Sequence, residues 1–225
     1  MKDLHRKALN GILRTLVILV AAIFLSAGTL RYWQGWACLA VFFIPASAIS
    51  LYVAKHDPAL LERRLKAGPR AEKQTIQKVA QVVASVVFFA DFVIPALDHR
   101  FGWSSVPAWA AIAGDVLVLV GFAITFAVFK ENTYTSGIIE VAENQQVIST
   151  GPYAMVRHPM YSGGLIMLFG IPLGMGSRWA LLTFIPLTMV IIWRLLDEER
   201  FLAEHLVGYT EYTERVRWRL VPSVW

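Results

Sequence analysis

Residues 107–129 read PAWAAIAGDVLVLVGFAITFAVF, an apolar run in which Asp115 is the one charged residue. About 20 such residues are needed to cross roughly 30 Å of hydrocarbon. Lipid offers the backbone no hydrogen-bond partner, so a run of this kind must be a helix. Three similar runs precede it, at 9–30, 33–54 and 76–97. The whole chain follows the same pattern: 56% of its 225 residues are hydrophobic and 16% charged, with a mean hydropathy of +0.54. A soluble domain has about 45–50% apolar and about 25% charged residues. The sequence therefore predicts an all-α integral membrane protein. The first run is longer than a secretory signal core and no A-x-A site follows it, so it is expected to remain as a first helix.

The connections between the runs differ in charge. Lys2, Arg6 and Lys7 precede the first run, and Lys55, Arg63, Arg64, Lys66, Arg70 and Lys73 crowd residues 55–75. The connections at 31–32 and 98–106 carry only Arg31 and Arg100. An excess of Lys and Arg marks cytoplasmic loops, so the N-terminus, the 55–75 loop and, after four crossings, residue 130 onward are expected in the cytoplasm. Within that loop PALLERRL, residues 58–65, sets Leu61 and Leu65 four apart with charges opposite. It reads as an amphipathic helix on the membrane surface, with a cytoplasmic soluble helix as the alternative. The net charge of +5 suits loops that face anionic headgroups. Because the cations flank membrane segments, no nucleic-acid partner is expected. The single cysteine, Cys38, excludes an internal disulfide and a cysteine-rich metal site, and no metal is expected.

After Lys130 the chain turns polar as far as Thr150, an arm with a turn expected at Glu143-Asn144. Two shorter apolar helices follow, at 160–175 and 179–196, each reaching roughly 24–27 Å. They read as a helix-turn-helix hairpin packed on the first four spans. It returns the chain to a charged, cytoplasmic tail from Asp197 to Trp225. The expected organisation is a single membrane domain over 1–225, with four transmembrane helices in 1–129 and a second region in 130–225.

The stretch GPYAMVRHPMYSGG, residues 151–164, carries the chemistry. Pro159 disfavours a helical His158 and fits the first helical position itself, so His158 should cap a helix that enters the membrane. The free amides and positive dipole end there suit an anion. Arg157 adds a fork that can grip a carboxylate, Tyr161 offers a ring and a hydroxyl, and Gly163 and Gly164 permit close approach. The same residues also fit an ordinary interface, with Arg and His at the headgroups and Tyr in the aromatic belt. Where the last helix leaves the membrane stands a second cluster, Asp197-Glu198-Glu199-Arg200. It is either a solvated exit, with Arg194 and Glu198 paired at i, i+4, or a carboxylate pair facing a ligand across from Arg157 and His158. The two clusters end the same hairpin and should meet at one face.

RHPxYxG at 157–163, preceded by Gly151-Pro152-Tyr153 and followed by Glu198-Glu199, resembles the cofactor signature of the isoprenylcysteine carboxyl methyltransferases. Related phospholipid and thiol methyltransferases share its outline. The tail, with Gly208-Tyr209, Tyr212, Val216, Leu220 and Pro222, resembles theirs as well, and the likeness covers about 130–225. It implies S-adenosylmethionine held by Tyr153, His158, Pro159, Tyr161, Gly163, Glu198 and Glu199, with Arg157 supporting the site or the acceptor's carboxylate. It also implies a lipophilic acceptor arriving from the bilayer. A carboxylate acceptor needs no base; for an amine or thiol, Glu199 or His158 would serve. Arg157 and Glu199 are thus the expected catalytic residues.

Membrane sterol reductases carry a similar His-Pro-x-Tyr segment and use a reduced nicotinamide cofactor, which makes an NADPH-dependent oxidoreductase the first rival. A transporter or scaffold is the second, although paired broken helices at mid-membrane depth are not evident. Asp91 and Asp115 are expected inside the membrane, sharing a proton or pairing with Arg31 or Arg178.

Overall fold

A computed structural model describes residues 2–68, 71–72 and 75–225. Arg70 and Lys73 of the expected basic loop lie outside the described residues. All regular structure among these residues is helical: α1 Lys2–Ala27, α2 Trp33–His56, α3 Pro58–Leu65, α4 Thr75–Phe101, α5 Ala108–Glu131, α6 Pro159–Gly174, α7 Phe184–His205 and α8 Tyr209–Arg215. Five stretches are long and apolar enough to cross a membrane: Asp3–Ala27, Trp33–His56, Gln77–Phe101, Ala108–Glu131 and Trp179–His205. The protein is a multi-pass membrane protein. The hairpin's two strokes are unequal, which the sequence pattern did not show. The 16-residue α6 reaches only roughly 24 Å, whereas a 3-10 turn at Trp179–Thr183 runs directly into the 22-residue α7.

The bundle is apolar on both sides of its helices. Leu19, Ile23, Phe92, Val118 and Ile171 form the interior, while Leu13, Val17, Leu25, Ile44, Val86 and Ile112 lie exposed on its outside. Exposed apolar area on this scale is unusual for a soluble monomer and natural for a surface solvated by lipid. Water supplies no driving force between helices in a membrane, so close packing of small residues holds them together. α5 and α6 show this most clearly. A Cβ added at Gly114 would lie 2.2 Å from the Gly174 nitrogen, and one at Gly121 would lie 2.6 Å from the Gly163 oxygen. At these points backbone rests on backbone.

The short α3 differs from expectation in the face it buries. Asp57, one residue after α2, caps it by accepting from the Leu60 amide at 2.9 Å, and Pro58 opens its first turn. So abrupt a reversal folds α3 back beneath α1 and α2. Leu60 and Leu61 are therefore buried against Ala8, Val53 and Ala54, and Leu65 is exposed.

The acids within the spans do not meet the expected arginines. Asp91 accepts from the Thr183 hydroxyl at 2.5 Å. Asp115 lies against Gly174, with Oδ1 unpartnered among the described residues. Residues after α4 and before the 3-10 turn join the two connections at this end of the bundle. Ser104 and Ser177 both donate to Asp98 Oδ2, at 2.6 and 2.5 Å. Local hydroxyls thus partner Asp91 and Asp98, whereas Asp115 has no such partner among the described residues.

Candidate functional site

At the opposite end of the bundle, the arm from Asn132 to Thr150 is tied down before it reaches the motif. Arg63 Nε donates to the Thr133 carbonyl at 2.9 Å, and Arg64 donates to the Ser136 carbonyl at 2.6 Å. Arg194 reaches the Gly137 carbonyl at 3.2 Å while pairing with Glu72, also at 3.2 Å. The expected Arg194–Glu198 pair is thus replaced: Glu72, from the connection before α4, and the arm's Gly137 carbonyl both lie within reach of Arg194. The expected turn is present, with Asn144 in the left-handed region at φ 56° and the Gln145 side chain accepting from the Ala142 amide at 2.9 Å.

Gly151 (φ 55°) starts a 3-10 turn, Gly151–Ala154, and His158 then caps α6 with Pro159 at its first position, as the sequence predicted. The tail runs alongside this segment. The amides of Arg157 and His158 donate to the carbonyls of Trp218 (2.9 Å) and Arg219 (3.0 Å). Ser162 Oγ donates to the Leu220 carbonyl at 2.7 Å, and Tyr212 Oη to that of Tyr153 at 2.8 Å. Backbone donors just before a helix are thereby satisfied by the neighbouring tail, which ties the motif to the C-terminal segment.

The two charged clusters meet as expected. Glu199 is the hub: Oε1 lies 3.0 Å from Arg157 Nε and 3.2 Å from His158 Nε2, and Oε2 accepts from Arg219 Nε at 2.9 Å. The Arg157 contact is an ion pair by distance, but its Nε–H is not aligned with the carboxylate and stays unpartnered. Glu198, one residue earlier, accepts from Tyr161 Oη at 2.6 Å. Consecutive residues on α7 point 100° apart, which is why one carboxylate can serve the interior while its neighbour faces the opening.

That opening is a polar crevice of about 110 Å³. Of the residues singled out from sequence, Tyr153, Arg157, His158, Pro159, Tyr161 and Glu198 line it, but Glu199 and Gly163 do not. Glu199 sits behind, holding three basic side chains, and Gly163 packs on Gly121 and Ile124. Lining residues that the motif reading missed come from the arm (Tyr134, Gln145), from α7 (Arg194) and from the tail side (Tyr209, Tyr212). The tyrosines three apart at 209 and 212 were a visible signal, since that spacing puts both on one helical face. Burial pushes the Tyr153 phenol up to about 12, against the pull of its hydrogen bond from Asn132. Burial first, then the charges of Glu199 and Glu198, push Tyr209 up as well. Both phenols stay protonated at neutral pH. The Tyr209 hydroxyl is buried without a partner among the described residues, a donor held ready in the wall.

The crevice therefore sets a carboxylate, protonated phenols and a guanidinium around one opening. Among known proteins, the phospholipid methyltransferase family's pattern matches residues 109–207, which take in α5, α6, α7 and the motif. Protein-S-isoprenylcysteine O-methyltransferase B of Arabidopsis thaliana is 25% identical over 188 residues, covering 79% of this chain and 87% of its own. Over these residues the chain is similar to membrane methyltransferases. Two sterol reductases also align. A delta(14)-sterol reductase of Mus musculus is 31% identical over 39% of this chain and 22% of its own, and one of Arabidopsis thaliana is 30% identical over 65% and 45%. The methyltransferase relative matches nearly end to end, whereas the reductases share a part.

Proposed function

We propose that the chain transfers a methyl group from S-adenosylmethionine to a lipophilic acceptor, a carboxylate of the kind that the Arabidopsis relative's name describes. The observation that carries this reading is Glu198 beside Tyr161 in a crevice that Arg157 and His158 also line. Such a site offers an acid to the cofactor's ammonium, bases to its carboxylate and phenols to its hydroxyl and ring groups. The unpartnered Tyr209 hydroxyl and Arg157 Nε–H are donors in want of an acceptor, and they fit that ligand. At about 110 Å³ the crevice is smaller than the roughly 300–1,000 Å³ that sites for such molecules occupy. The arm and α8 must therefore part to admit the cofactor and close over it.

When bound, the cofactor would supply an activated methyl on sulfur for transfer to a carboxylate oxygen, chemistry that requires no proton to move. The chain's contribution is placement and dryness. Glu198, Tyr161 and the arm orient the donor and exclude water, and a dry site favours a step in which opposite charges are neutralised. Glu199 is a positioning residue in this reading, since it holds Arg157 and His158 without lining the crevice.

Calorimetry on the purified protein tests the cofactor class. S-adenosylhomocysteine should bind and NADPH should not. Binding of NADPH alone would favour the oxidoreductase that the two reductase relatives offer as a second reading.

The four-span topology with a hairpin, both termini in the cytoplasm, belongs to the same proposal. Its support is the concentration of Lys and Arg in the 55–75 loop, whose Arg63 and Arg64 hold the arm beside the crevice. Cys38 is fully buried, so single cysteines introduced at the exposed Lys66 and Ser105 can be labelled without background. Lys66→Cys should react only from the cytoplasmic side and Ser105→Cys only from the other; reaction of both from one side refutes the topology.

A further inference from the structure

Two apolar grooves open on the flanks of the bundle. The larger, about 810 Å³, lies between α5, α6 and the tail, and no charged side chain lines it. The second, about 380 Å³, runs between α1, α2, α3 and α5 past Ile12, Phe42, Phe122 and Phe129, and carries one charge, Arg64.

Like Arg63, which donates to Thr133, and unlike the ion-paired arginines near the site, Arg64 has no acid in contact among the described residues. Arg157 and Arg219 face Glu199, and Arg194 faces Glu72. Arg64 donates to one carbonyl, that of Ser136, and its guanidinium lies 5.4 Å from the Phe129 ring centroid. No carboxylate among the described residues is within ion-pair distance of it. Burial pulls its pKa down, and the charges acting on it include Glu198. A partly desolvated cation with no acid in direct contact is costly. Ser136, which it grips, is also part of the crevice wall, so Arg64 stands where the groove and the crevice adjoin.

We infer that the groove ending at Arg64 is the acceptor's binding site, taking a single-chain amphiphile whose carboxylate meets the Arg64 guanidinium and whose tail lies between α1 and α2. Arg64 then sets the preference for an acid over a neutral acceptor. The inference rests on the methyltransferase reading for the word acceptor, but its binding test does not.

The probe is palmitate bearing a terminal diazirine, photolysed with the intact protein in phosphatidylcholine vesicles. Label should appear within residues 11–15 and 42–50, and unlabelled palmitate should compete roughly tenfold better than palmitamide, the difference expected for one charge-assisted hydrogen bond. Arg64→Gln should abolish that preference and Arg64→Lys should keep part of it. Because the head-group comparison is made on the wild-type chain, it stands even if Arg64→Gln does not fold. Equal competition by acid and amide, label confined to 165–169 in the other groove, or loss of label when phosphatidylglycerol replaces phosphatidylcholine would each overturn the assignment, the last by making the groove a phospholipid headgroup site. S-adenosylhomocysteine binding is measured in parallel. Cofactor binding without an acid preference sinks only the Arg64 site, and an acid preference without cofactor binding sinks only the methyltransferase reading.

Discussion

Gly163→Ala should destabilise the protein while Gly164→Ala, its immediate neighbour, should not. A Cβ at Gly163 would stand 3.0 Å from the Gly121 carbonyl oxygen and 3.0 Å from the Ile124 side chain, whereas nothing lies within 4 Å of one at Gly164. At 164 the substitution removes a glycine from the middle of a helix, which is worth roughly 0.5–1 kcal/mol in the protein's favour. Gly114→Ala is the extreme of the same series. Its Cβ would meet the Gly174 nitrogen at 2.2 Å, the Gly170 oxygen at 2.7 Å and the Gly174 Cα at 2.8 Å. All three are backbone atoms, so α5 and α6 must separate along their whole contact. Overpacking costs about 1–3 kcal/mol where side chains can yield, and more where they cannot. Gly114→Ala is expected at or beyond the top of that range, with no folded protein recovered for Gly114→Leu. Thermal unfolding in detergent, followed by size-exclusion chromatography, gives the ranking. A Gly114→Ala protein as stable as wild type would mean that α5 and α6 do not touch at these glycines.

The same contact shows where sequence reading succeeds and where it stops. The spans follow from hydropathy because each needs only its own composition: the runs at 33–54 and 107–129 became α2 and α5 within two residues at either end. His158 capping α6 was equally legible, because Pro159 acts on its immediate neighbour. Gly163, by contrast, stands inside the motif and resembles a residue that frees space for a ligand. What it approaches is Gly121, 42 positions earlier, and nothing local distinguishes the two roles. Arg194 was misassigned for a similar reason. Its i, i+4 neighbour Glu198 was the visible partner, but the actual one, Glu72, stands 122 positions earlier in the chain. The partner of Asp91 depends on helix rotations that a nearly uniform apolar sequence does not encode. Local chemistry was readable; the identity of distant partners was not.

The neighbouring carboxylates of α7 should separate by function when each is made an amide. Glu199→Gln removes the counter-charge shared by Arg157 and Arg219 and the carboxylate in contact with His158, whose side chains are 8%, 31% and 6% exposed. Taking one partner from a buried ion pair costs about 3–5 kcal/mol, because the remaining charge is left uncompensated. The exposure of Arg219 lets water recover some of that, so the lower end of the range is expected. The damage should also spread to the fold of the site, since the arginines that Glu199 holds belong to segments joined through the Arg157–Trp218 and His158–Arg219 hydrogen bonds. Glu198→Gln differs in kind. Its amide oxygen can still accept from Tyr161, so the melting temperature should stay near that of the wild type. What it loses is the negative charge at the crevice, and S-adenosylhomocysteine should bind roughly ten- to hundredfold more weakly, as for one charge-assisted hydrogen bond. Thermal melts and calorimetry on the two variants therefore form a crossed pair: Glu199→Gln moves the melt and, through it, the binding, while Glu198→Gln moves the binding alone. A Glu199→Gln protein that melts normally yet fails to bind would put Glu199 against the ligand instead of behind it. A Glu198→Gln protein that binds as the wild type does would remove the carboxylate on which the placement of the cofactor rests.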